Sequence, residues 1–154
     1  MSRLNKLQRL FVDLEYAPRE HVVTVPFAYV GVQPGASHHS IFEELWHLTK
    51  WQTFVLQTAR GEAARSNFKE DDFPEAQAPA GEEAWQVLVA EFLEGSEAAA
   101  TLAGDEEALA VRLTDGVTLR EHLEMLAVHN AYHLGKIVLL RQLLGVWVPP
   151  LAEE

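Results

Sequence analysis

The chain has 154 residues, an ordinary length for one domain with a real core. Its formal charge is −11 and no lysine or arginine cluster opposes it, so a nucleic-acid groove, which needs cations facing phosphates, is not expected. No apolar run is long enough to cross a membrane, and without cysteine there is neither disulfide stapling nor any sign of an oxidising compartment.

The opening Met1-Ser2-Arg3-Leu4-Asn5-Lys6 leads into an amphipathic segment rather than a secretory hydrophobic region, so the expected location is cytoplasmic. A first helix is predicted over Leu4 to Glu15, with Leu4, Leu7, Phe11 and Leu14 on one side. Tyr16 to Ser37 reads as irregular. Its Val22 to Val32 stretch allows extended, strand-like pieces, although Pro26 weakens a central strand. A second helix starts at Ser40, where Ser40-x-x-Glu43 forms a capping box, and runs to about Ala64. Asn67 to Ala80, charged and proline-containing, reads as a loop. A third helix covers Glu82 to Leu102, with Trp85, Leu88, Val89 and Phe92 inward. After an acidic connection, Thr118-x-x-Glu121 opens a fourth helix that runs to Leu144 and stops at Gly145. No repeat, low-complexity tract or linker divides the chain, so residues 1–154 are expected to form a single all-α domain. A four-helix bundle is its simplest packing.

The chemistry concentrates on the fourth helix. His129 and His133 are separated by just over one turn, a rise of about 6 Å, so both imidazoles leave the same face. At about 100° per residue, that stripe also contains Leu119, His122, Met125, Leu126, Lys136, Ile137, Leu140 and Leu144, which places the pair in the middle of an inward face. An isolated pair of this kind is better explained by core histidines bonded to backbone carbonyls, or by a surface accident. His47 alters the balance, because it lies in a second apolar helical segment, Ser40 to Trp51. Histidines from two packed helices make a three-ligand site with open coordination positions, which suits catalysis better than stapling.

Other metal schemes fit less well. A di-iron carboxylate bundle needs two Glu-x-x-His motifs; Glu44 to His47 supplies one, but Leu126 and Asn130 occupy the matching positions before His129 and His133. A zincin needs His-Glu-x-x-His, and Asn130 stands where that glutamate belongs. Glu43 or Glu44 is placed to orient an imidazole or act as a base, while a solvated carboxylate in the capping turn is expected for at least one of them. His122, about 10 Å along the axis from His129, is too far to share its ion; it is expected to pack beneath the irregular segment, with a place at the pocket mouth as the alternative. His38 and His39 approach the metal only if their loop folds over it, and His21 has no context. Ala127, Ala131 and Gly135 form a small-residue ridge opposite the histidines, read either as tight packing within the bundle or as a homodimer face.

The segment His129 to Ile137, followed by Leu139-Leu140-Arg141, resembles the closing helix of the DinB/YfiT-like superfamily. Ser40 to Leu48 with Trp51 resembles that family's second-helix motif, and Gly145 to Pro150 its tail, so the resemblance runs from about Ser37 onward. It implies a four-helix bundle of the up-down-down-up type with long connections, and a metal-binding triad that falls here on His47, His129 and His133. Lys136 departs from the glutamine found in many members. The resemblance further implies a divalent metal, nickel or zinc, and a small-molecule substrate. The chemistry it suggests is activation of a low-molecular-weight thiol for S-transfer or metal-dependent hydrolysis, with a non-catalytic metal-binding stress-response role as the third reading. Any reactive thiol has to come from outside the chain, which has no cysteine.

Overall fold

The regular structure consists of α1 (Lys6–Val12), α2 (Arg19–Val23), a 3-10 turn (Phe27–Tyr29), α3 (Ile41–Ala59), α4 (Glu82–Ala103), α5 (Glu106–Leu109) and α6 (Leu119–Leu143). These elements belong to a computed structural model that describes residues 3–12, 17–62 and 72–150, and no strand occurs among them.

The two helices that carry the histidines start where their sequence says they should. Ser40 Oγ accepts the Glu43 amide at 3.2 Å, and the Glu43 carboxylate accepts the Ser40 amide at 2.7 Å. Thr118 and Glu121 repeat this exchange at the start of α6. Each box satisfies two backbone donors that a helix start otherwise leaves unpaired. Both helices end beside a glycine in the left-handed region, Gly61 at φ 71° and Gly145 at φ 73°, a conformation that side chains with a Cβ resist. Gly61 therefore stops α3 at Ala59, short of the predicted Ala64.

Packing makes a four-membered bundle in which α3 touches α4 and α6, and α1 touches α4 and α6. The long connections from α1 to α3 and from α4 to α6 thus each join diagonal members. One apolar cluster gathers Ile41, Leu45, Leu48, Trp85, Phe92, Leu134 and Ile137; the other gathers Leu7, Phe11, Ala99, Ala103, Leu109 and Leu123.

The strand-like pieces expected in Val22 to Val32 are absent. Pro18 and Pro26 sit at the N-caps of α2 and the 3-10 turn, where a fixed φ favours a helical start. The valines of this stretch (Val22, Val23, Val25 and Val30) then bury into the first cluster. At the N-terminus Leu7 and Phe11 face the core while Leu4 is 44 % exposed; the predicted extension to Glu15, with Leu14, lies outside the described residues. The short α5 was not anticipated, though Asp105 signals it by accepting the Glu107 and Ala108 amides.

A buried polar network ties the helices together beneath the histidines. Asn130 Nδ2 donates to Gln52 Oε1 at 3.1 Å, Gln52 Nε2 donates to the Phe92 carbonyl at 2.9 Å, and Ser96 Oγ lies 3.2 Å from Gln52 Oε1. A Cβ at Gly95 would stand 2.3 Å from Gln52 Nε2, so a glycine, poor in helix interiors, is what lets Gln52 reach α4.

Candidate metal centre

The fold brings one nitrogen each of His47, His129 and His133 within 4.8 Å of one another, an arrangement able to hold a metal ion. Two of the three rings have fixed tautomers. His47 Nδ1 lies 2.5 Å from the Asp72 carbonyl, and His133 Nδ1 lies 2.5 Å from Glu44 Oε2. A carbonyl or carboxylate oxygen only accepts, so each Nδ1 carries the proton and each Nε2 keeps its lone pair. His47 Nε2 then faces His129 Nε2 at 3.1 Å. Ligand nitrogens about 2.0–2.1 Å from a tetrahedral zinc lie about 3.3 Å apart. The donor set and spacing therefore suit a divalent ion.

Burial disfavours the charged form of two of the rings. Burial, then the neighbouring His133 and His47 charges, push His129 down to about 4. His47 is lowered chiefly by burial, against the opposing bond to the Asp72 carbonyl. Burial by itself would raise the Glu44 carboxyl, but the His133 bond and the charges of His133, Lys136 and His39 outweigh it and hold Glu44 below its usual value. Glu44 is thus an ionised carboxylate behind His133, the kind of partner that orients an imidazole.

Each sequence candidate has a definite place. Glu43 closes the capping box and Glu44 serves His133; neither is solvated, at 8 % and 3 % exposure. His39 reaches Glu44 at 3.4 Å and stacks on Phe73, whose other neighbour is the His47 ring at 4.4 Å. The loop before α3 does fold toward the centre, but its histidine meets the carboxylate rather than the triad. His38 is exposed. Lys136 lies 3.6 Å from Glu44 and over the Tyr132 ring. His122 does not pack beneath the irregular segment: its Nε2 lies 2.8 Å from Asp115 Oδ2, and the ring lines the same cleft as His129. His21 contacts the Val148 carbonyl and packs edge-on to Trp147.

The histidines stand at the edge of the buried face of α6, not in its middle. Leu123, Ala127, Asn130, Leu134, Ile137 and Arg141 are buried to one side, while Met125, Val128, Tyr132, Leu139 and Leu143 are exposed on the other. The edge position leaves an opening. A cleft of about 480 Å³ between α3 and α6 is lined by His47 and His129 together with Trp51, Phe54, Val55 and Met125. A second groove of about 550 Å³, along Lys136, Leu139 and Leu143, meets the centre only at Glu44. Ala131 and Gly135 are exposed, so the small-residue ridge is not internal packing beyond Ala127.

Sequence reasoning missed Asp72, Phe73 and Asp115. Asp72 contributes a backbone carbonyl, which no side-chain pattern encodes. The Asp115-Gly116 turn was readable as a turn, though not as the partner of His122.

A family model described as the DinB superfamily matches residues 14–137. The chain belongs to the DinB superfamily. The match takes in α2 to most of α6 and all three triad histidines; it starts well before Ser37 and ends short of the Gly145 to Pro150 tail. No curated protein and no solved structure matches this DinB chain.

Proposed function

We propose that this DinB-superfamily chain is a metal-dependent enzyme that activates a low-molecular-weight thiol for transfer to a small-molecule electrophile. The observation that carries the reading is the convergence of His47, His129 and His133 beside an open cleft that His47 and His129 line, with the Nδ1 of two of the rings engaged so that their Nε2 lone pairs are left for a metal. Nickel or zinc is the favoured ion, since both accept imidazole nitrogen. When bound, such an ion supplies Lewis acidity that lowers the pKa of a coordinated thiol or water.

The protein's own residues divide the remaining work. His47, His129 and His133 hold the ion, Glu44 and the Asp72 carbonyl orient two of those rings, and Trp51, Phe54 and Met125 exclude water from the reacting end. The choice of thiol follows the family. A hydrolase is the second reading, favoured by Asp72, which lines the cleft and whose charge is felt at His47. Omitting thiol separates them: a transferase given metal and electrophile stops turning over, whereas a hydrolase continues. Metal-loaded protein inert toward thiols with electrophiles, esters and amides would instead favour a non-catalytic metal-binding role.

We further propose a homodimer formed through the exposed stripe of α6. Met125, Val128, Tyr132, Leu139 and Leu143 lie beside the exposed Ala131 and Gly135, so bulky residues border a point where a second helix can approach closely. Light scattering at micromolar concentration is expected to give twice the 17.3 kDa chain mass, and Tyr132→Glu to return it to one. A monomeric wild-type protein removes the proposal. No helix among the described residues is long and apolar enough to cross a membrane.

A further inference from the structure

The cleft beside the triad has a second polar end. His122 lines it, and His122 Nε2 lies 2.8 Å from Asp115 Oδ2. Asp115 Oδ1 accepts the Val117 amide at 2.9 Å, which pins the carboxylate on the turn leading into α6. Because the carboxylate only accepts, the proton between the two groups sits on His122 Nε2. When the ring is neutral, Nδ1 is left as an acceptor. His122 precedes His129 by two helical turns, about 10 Å along the axis, so it cannot act on an ion held by the triad. Between the two ends the walls are Trp51, Phe54, Val55, Met125 and Leu126. Aromatic faces and a thioether favour a flat apolar ring system. The cleft thus joins a reacting end, an apolar barrel and a distal acceptor about 10 Å away.

We propose that the cleft takes a compact aromatic substrate carrying a hydrogen-bond donor at the end away from the triad, and that His122, held by Asp115, is the specificity residue that reads this donor. The proposal deepens the reading above, since it takes the triad end as the reacting end. Asp115 is a positioning residue here: by engaging Nε2 it sets which ring nitrogen carries the proton.

The test compares two probes with the same aromatic body, 2-naphthol and 2-methoxynaphthalene, titrated by calorimetry into zinc-loaded and zinc-free protein with metal content measured alongside. Wild type is expected to bind the naphthol about fivefold more tightly than its ether, the size of one net hydrogen bond. His122→Phe should keep its metal and lose the preference. Asp115→Asn is the sharper variant. Its side-chain oxygen can keep the Val117 bond while its amide donates to His122 Nε2, which moves the ring proton to Nδ1 and abolishes the preference without removing any cleft side chain. A role confined to packing would leave the Asp115→Asn discrimination unchanged. Equal binding of both probes to wild type, or a preference that survives both variants, overturns the proposal. If wild type holds no zinc, the triad reading fails, and the zinc-free titrations still decide the part assigned to His122.

Discussion

His47→Ala and His133→Ala are each expected to lower zinc and nickel affinity by more than about 100-fold, beyond what loss of an outer partner produces. Far-UV helicity should be essentially unchanged. The rings are buried at 5 % and 6 % exposure, yet His47 borders an open cleft and neither belongs to the apolar clusters that hold the bundle. Glu44, left by His133→Ala, still has Lys136 at 3.6 Å and His39 at 3.4 Å, so its charge is not stranded. Glu44→Gln supplies the graded comparison: every first ligand stays, only the orientation of His133 suffers, and a loss of about 10- to 100-fold is expected. Metal content after gel filtration, with competition titration for affinity, checks the series. Full metal content in both alanine variants would remove the centre as drawn.

What the sequence revealed, and what it hid, follows from how local each signal is. The capping boxes at Ser40 and Thr118 are written within four residues and appear where expected. The triad was readable because a two-histidine helical spacing and a third histidine in an apolar helix need only the helices to pack, and α3 and α6 do. The outer partners depend on tertiary placement. Glu43 and Glu44 are neighbours in sequence, yet one closes a cap and the other reaches His133 on another helix. The exposed flank of α6 was misjudged for the same reason: period alone marks which residues align, while the bundle decides how wide the covered sector is. The valine-rich segment deceived because β-branched residues favour strands only where a neighbouring strand exists to pair with, and here helical faces bury them instead.

Acidification from pH 7 toward pH 4 is expected to release the metal and to lower the stability of the metal-free protein. His129 has a folded value of about 4 against 6.5 for an unperturbed ring, because burial disfavours its cation. Above pH 6.5 both states are neutral and no penalty exists. Below it the unfolded chain takes up a proton that the folded ring refuses, so stability falls progressively and levels off near pH 4. The full gap corresponds to about 3 kcal/mol, and solvent screening at a half-buried ring leaves about 1–2 kcal/mol. His47, also lowered, adds with the same sign. Glu44 acts later in the same direction: its lowered value means that its stabilisation is present above 4.5 and lost as pH falls through the folded value. Bound metal adds about 2.7 kcal/mol at a hundredfold excess over Kd, and this too disappears as protons compete for the three rings. Thermal melts at pH 7, 6, 5 and 4.5, with zinc and with chelator, separate the two contributions. The zinc-dependent gap should close as pH falls, while the chelated protein loses stability on its own; His129→Gln should flatten that second slope and bind little zinc at any pH. A chelated wild-type protein with the same melting temperature at pH 7 and pH 5 would show that His129 and His47 are not held neutral by burial, and a metal site prepared in advance would have lost its physical basis.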